Sequence, residues 1–166
     1  MPAMAPLATC IPDPGVIRSC CGGIRTPLLV QWKSRLPAGA IYSHPVISLD
    51  LLPTCIAAGG GTIDASWKLD GVNLLPFFEG IHNNAPHDAL YWRFGTQWAI
   101  RRGDWKLVQA REGKGGSIQI AKEGPVRLYC LADDMAEEND VSAAELHRAA
   151  ALRQLADQLD GASVDK

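Results

Sequence analysis

The chain has 166 residues, 47% hydrophobic and 20% charged, with a formal net charge of −2. Those proportions exclude a disordered or fibrous chain, and the length suits one compact domain or a domain with an appendage. The charge balance argues against a nucleic-acid partner, since phosphate binding needs clustered Lys and Arg. No apolar run approaches the roughly 18–20 residues that span a bilayer, so no membrane segment is expected.

Residues 1–20 are Pro-rich and aperiodic, and read as loop or disorder, so 1–21 are expected to be unstructured. No Lys or Arg precedes Arg18, and Pro2, Pro6, Pro12 and Pro14 break each short apolar stretch. A secretory signal needs a charged start and an unbroken apolar core, so the sequence as written predicts a cytoplasmic chain. The 5 cysteines, at 10, 20, 21, 55 and 130, form no CxxC pair and read as reduced, scattered thiols.

Leu28-Leu29-Val30, closed by Lys33, Arg35 and Pro37, predicts a short strand buried on both faces. Ile41 to Ile47 is a second extended candidate, at an edge because of Pro45. Residues 48–58 read as a helix that Ser48 or Asp50 can cap, with Pro53 tolerable only in its first turn and Gly59-Gly60-Gly61 as its stop. Leu74, Leu75 and Phe78 fit one face of a further helix over 72–78.

The period then changes to two. Leu90, Trp92 and Phe94 fall on one face and Tyr91 and Arg93 on the other; Trp98 and Ile100 alternate with Ala99 and Arg101. Gly103-Asp104 is a turn pair, 105–108 resumes the strand, 111–124 is a glycine-rich loop, and 126–130 is a last strand. Ser142-Ala143-Ala144-Glu145 has the form of a capping box. Leu146, Ala149, Leu152, Leu155 and Leu159 then define an amphipathic helix over 143–160 that Gly161 ends. The fold class is α/β to α+β.

Chemical motifs are sparse. There is no G-x-S-x-G elbow, and Gly113-Lys114-Gly115-Gly116-Ser117 lacks the layout of a phosphate loop. The 4 histidines show no HExxH spacing; His82, His87 and Asp88 are the nearest approach to a metal set and read as solvated loop residues. Arg102-Gly103-Asp104 matches an adhesion tripeptide but is what a tight hairpin requires. Asp133, Asp134, Glu137, Glu138 and Asp140 read as acids favouring a helix N-terminus, not as a calcium loop.

Several segments, in order, resemble the C-terminal part of a sulfatase of the alkaline-phosphatase-like superfamily, arylsulfatase type. Residues 22–32 (GGIRTPLLVQW) are similar to the family's E-G-G-I-R-x-P-x-x-x-x-W, and Leu36-Pro37-Ala38-Gly39 carries the P-A-G turn. Residues 48–54 (SLDLLPT) resemble S-x-D-L-x-P-T, and 69–76 (LDGVNLLP) resemble L-D-G-x-S-L-L-P. Residues 99–108 (AIRRGDWKLV) are similar to A-V-R-x-G-x-W-K-L, and 128–139 (LYCLADDMAEEN) to L-Y-D-L-x-x-D-P-x-E-x-N.

The resemblance implies that 22–85 is a remnant of the tail end of the large sulfatase α/β domain. It implies that 88–160 is a small C-terminal subdomain, a four-stranded antiparallel sheet packed by a helix. Residues 1–21 are not family-like, as a truncated or frame-disrupted gene would leave them. Sulfatases use a formylglycine nucleophile made in a C/S-x-P-S/T-R motif, a calcium ion and basic residues; carboxylates suit calcium, and cations the developing negative charge. Those elements lie upstream of the part resembled, except for a Lys and a Glu whose positions are Val16 and Cys21 here. Cys10-Ile11-Pro12 lacks the Arg of the motif. No catalytic or metal residue is therefore expected, no cofactor is expected in this chain, and the chain is expected to be inactive alone.

The alternative is a non-catalytic module binding a sulfated small molecule or glycan, or a separate catalytic chain. His87, Trp92 and Arg93 are the candidate rim residues for such a ligand, from a set that also holds Trp98 and Arg101; the alternation also suits Trp92 and Trp98 as sheet core. An unfinished sheet at Leu28–Val30 would favour self-association. Many relatives are exported, which leaves the parent's compartment open.

Overall fold

A computed structural model describes residues 25–109 and 124–164. The Pro-rich start, the Gly113–Ser117 segment and Cys10, Cys20 and Cys21 lie outside the described residues. The chain divides into two compact units, one of Leu28–Asp88 and one built on the residues from Ala89 onward.

In the first unit no strand forms. Leu28, Leu29 and Val30 are extended but exposed, Leu29 at 93%. The expected buried strand fails because a strand needs a ladder partner, and none of the described residues supplies one. A turn follows, closed by the Leu36 amide donating to the Trp32 carbonyl at 2.8 Å. The 41–47 stretch is also without a ladder; Tyr42 instead meets Phe77 and Phe78 edge-on at 6.4 and 5.5 Å. A 3-10 turn at Ser48–Asp50 leads into helix α1, Leu51–Ala58. Pro53 lies in its first turn, where its missing N–H costs nothing, and Gly59 caps its end. Helix α2 covers only Leu75–Phe78, shorter than the spacing suggests. Leu74 and Leu75 are the buried large aliphatics of this unit.

The second unit has the expected sheet. Strands β1 (Leu90–Phe94), β2 (Gln97–Arg102), β3 (Trp105–Gln109) and β4 (Val126–Cys130) form an antiparallel meander in sequence order. Two-residue turns join the first three strands. Gly95 and Gly103 open them at φ +61° and +58°, a region costly for any residue with a Cβ. Period-two alternation sorts the side chains. Trp98, Ile100, Leu107 and Leu128 pack with Leu152 and Ala156 of helix α3, which runs Leu146–Val164. Ala99, Val108, Tyr129 and Leu131 form a second cluster on the other face, with Trp92 against it. Each large aliphatic buried this way contributes about 1.5–3 kcal/mol.

Helix α3 starts later and ends later than the sequence implies. Ser142 does not cap it; residues 142–144 form a turn, with the Ala144 and Glu145 amides donating to the Val141 carbonyl. The Asp140 carboxylate holds the approach instead, accepting from the amides of Leu128 (3.1 Å) and Ser142 (2.9 Å). Burial works to raise the Asp140 pKa. The two amides and the Arg127 charge outweigh it, so the carboxyl sits below its ordinary range. Gly161 does not end α3, which continues to Val164. Leu146, expected on the packed face, is exposed, and Ala156 occupies the packed face instead.

Candidate functional site

Asp50 organises the first unit. Its side chain is fully buried, and its oxygens accept from the amides of Ile47 and Val72, each at 2.9 Å. His87 Nε2 lies 2.9 Å from both carboxylate oxygens, so that nitrogen carries the donated hydrogen. A buried carboxylate is tolerable when fully partnered, as here. One turn later Thr54 Oγ donates to the Asp50 carbonyl at 2.6 Å and accepts from the Leu74 amide at 2.9 Å. Gly71 completes the clasp: a Cβ there would stand 2.1 Å from the Leu49 carbonyl oxygen. The 48–54 and 69–76 segments are thus two halves of one tie, closed by His87.

In the second unit, Lys106 Nζ meets Glu137 Oε1 at 2.5 Å, with 3% of each side chain exposed. Glu137 holds a positive φ of 60°, and among the described residues its Oε2 has no hydrogen-bond partner. Two other acids of this stretch hold backbone amides, and Asp133 accepts from the Cys130 thiol at 3.4 Å. Asp134 accepts from Glu138 (3.1 Å) and Asn139 (2.8 Å), and Asp140 from the pair given above. Among the described residues no group of three or more His, Cys, Asp or Glu could hold a metal ion. Of the described cysteines, Cys55 is exposed and Cys130 half-buried, both free thiols.

A shallow cleft of about 180 Å³ opens where β1 and β2 meet α3. On one side Arg93 Nη1 donates to both Asp160 oxygens at 2.6 Å, and the Tyr91 hydroxyl donates to Oδ1 at 3.0 Å. On the other, Gln109 Oε1 accepts from Trp98 Nε1 (2.6 Å) and Arg153 Nη1 (3.3 Å). The Arg153 guanidinium stacks 4.8 Å over the Trp98 ring and donates through Nε to Asp157 at 3.0 Å. The Arg93 hydrogen bond holds the Asp160 carboxyl below its usual range. Burial, then the bond to Asp160, pushes the Tyr91 phenol up to about 12. The phenol stays protonated well beyond neutral pH, and the cleft offers both donors and acceptors.

The rim candidates fall in both units, and each has its own surroundings. His87 is 11% exposed and engaged by Asp50 in the first unit. Trp92 is half-buried against the second apolar cluster, and Arg93 is exposed at the cleft. Trp98 lies in the core, and Arg101 Nε donates to the Gly103 carbonyl at 2.9 Å. His82 is exposed beside the Phe77 ring at 5.0 Å. The cleft residues Arg153, Asp157 and Asp160 escape sequence reading because they lie on the polar side of an amphipathic helix, where charges are expected anyway.

No protein-family model matches the chain. Arylsulfatase H of Homo sapiens is 37% identical over 75 residues, 45% of this chain and 13% of that protein. The uncharacterized sulfatase YdeN of Escherichia coli K12 is 37% identical over 71 residues, 43% of this chain and 12% of that protein. Among solved structures, Ps i-CgsB superposes with a TM-score of 0.60 at 29% identity, over 77% of this chain and 27% of that one. The fold alone is shared with BT4656, solved with its substrate D-glucosamine-2-N,6-O-disulfate, at a TM-score of 0.59 and 19% identity over 82% of this chain and 28% of that one. The chain thus matches about an eighth of the length of these curated relatives.

A four-stranded antiparallel sheet closed by one long helix, preceded by short helices, is a sulfatase-type arrangement. The chain is a partial homologue of the sulfatases over a C-terminal-like segment.

Proposed function

We propose that this chain is the C-terminal part of a sulfatase and serves as scaffold, with no hydrolysis of sulfate esters by itself. One observation carries the reading: the residues of the sulfatase-like segments are spent on holding backbone. Asp50, Thr54 and Gly71 lock two of those segments together, and Lys106 and Glu137 join two others.

The described residues also do not fit the family's cofactors. Both Asp50 oxygens are taken by amides and His87, which leaves that carboxylate no lone-pair geometry suited to calcium. Neither Cys55 nor Cys130 is followed by the x-Pro that a formylglycine motif needs. The test is hydrolysis of an aryl sulfate with calcium present: the proposal expects a rate equal to the buffer blank, and turnover that scales with the chain would overturn it.

A second reading is a non-catalytic module for a sulfated small molecule or glycan; the open cleft beside Arg93 supports a ligand surface, and Trp92 and His87 stay separate candidates. Ps i-CgsB has been solved with k-i-k-neocarrahexaose, which makes a glycan the natural probe. Isothermal calorimetry with such an oligosaccharide discriminates: heat of binding supports this reading and its absence counts against it. The exposed Leu28–Val30 segment further supports self-association, or association with a separate catalytic chain.

A further inference from the structure

We infer that the cleft between β1, β2 and α3 binds the hydroxyls of a neutral sugar ring rather than a sulfate group. The inference rests on the binding reading above and deepens it. Four ionised side chains line the cleft, Arg93 and Arg153 against Asp157 and Asp160, so their formal charges cancel. A sulfate carries only acceptors and a negative charge. It would face two carboxylates as well as two guanidiniums, each of the latter already paired to a carboxylate.

A sugar hydroxyl both donates and accepts, and this cleft offers both. Arg93 uses Nε on the Gly95 carbonyl and Nη1 on Asp160; Arg153 uses Nε on Asp157 and Nη1 on Gln109. A guanidinium has five donors, and among the described residues no bond takes the Nη2 end of either. Asp157, 62% exposed, supplies that acceptor on one side, Asp160, 34% exposed, on the other, and Thr96 adds a hydroxyl. Adjacent donor and acceptor on planar, mutually braced side chains suit vicinal hydroxyls. The braces, Trp98 to Gln109 and Arg153 over the indole, fix those side chains before a ligand arrives. The volume, about 180 Å³, is below that of a drug-sized pocket and suits one ring.

The experiment is saturation-transfer NMR on the full chain with the methyl glycosides of glucose, galactose and mannose, and with the 6-sulfate of each. At least one neutral glycoside should receive saturation, its 6-sulfate should bind no more tightly, and added salt should leave the signal unchanged. Arg153→Ala and, as a milder change at an exposed site, Asp157→Asn should each weaken binding about tenfold or more. Binding confined to the sulfated glycosides, or abolished by salt, would overturn the hydroxyl inference while leaving a binding module standing. Saturation of none of them would overturn both.

Discussion

Lys106 and Glu137 face each other 2.5 Å apart in a setting that leaves 3% of either side chain exposed. Thirty-one residues separate them, and each lies in a different sulfatase-like segment. Removing one partner strands a buried charge, which typically costs about 3–5 kcal/mol, whereas replacing both with apolar groups is often neutral. Lys106→Met should therefore lower stability in urea unfolding by about that amount. Lys106→Met combined with Glu137→Leu should recover most of the loss. Additive losses would mean that the pair does not act as a unit.

The Asp50 clasp makes a second prediction. Gly71→Ala places a Cβ 2.1 Å from the Leu49 carbonyl oxygen, so the 69–76 segment must lift away from the helix entry. Thr54→Val is gentler, removing the hydroxyl that accepts from Leu74 and leaving that amide unsatisfied at about 1–3 kcal/mol. Hydrogen exchange at the Val72 and Leu74 amides should accelerate in both variants, more in Gly71→Ala. Unchanged protection would mean that the clasp is dispensable.

The cleft titrates at both ends of the pH scale. The Tyr91 phenol is raised to about 12, by burial and then by Asp160. Its contribution to stability is complete below the unfolded-state value near 10 and is lost as pH rises through about 12. Asp160 is lowered by Arg93, so its contribution is present above the unfolded-state value near 3.9 and is lost as pH falls through the folded one. Spectrophotometric titration, compared with Tyr91→Phe, should show the Tyr91 phenol ionising near 12. Asp160→Asn should bring that midpoint down toward 10; a midpoint that does not move would remove Asp160 as a cause.

The apolar surface of the first unit makes a prediction about association. Leu29 and Ile41 are 93% and 89% exposed, and α1 turns Leu51, Leu52 and Cys55 outward as well. A helix apolar on all sides is normally covered. Light scattering should find the chain polydisperse, and Leu29→Asp with Leu52→Glu should shift it toward monomer. A sharp wild-type monomer would contradict this.

The sheet was legible because its signal is local. Alternation from Leu90 to Val108 and the Gly103-Asp104 pair name strands and turn within a few residues of each other. The α3 boundaries were not, because Asp140 and not Ser142 holds the approach, and its second bond reaches back to Leu128. Asp50 was legible as an acid at a helix start but not as a hub, since its partners Val72 and His87 lie 22 and 37 residues away. The Leu28–Val30 run has strand composition without a strand, since pairing depends on a neighbour that an apolar run cannot specify. Of the rim candidates, Arg93 alone was placed on an open cleft, and its partners Asp160 and Tyr91 needed the packing of α3 to be seen.

Whether this segment is scaffold alone, as proposed, is decided by steady-state hydrolysis of an aryl sulfate by the purified chain with saturating calcium. Product release should be indistinguishable from the blank at every chain concentration. A rate that rises in proportion to the chain would contradict it.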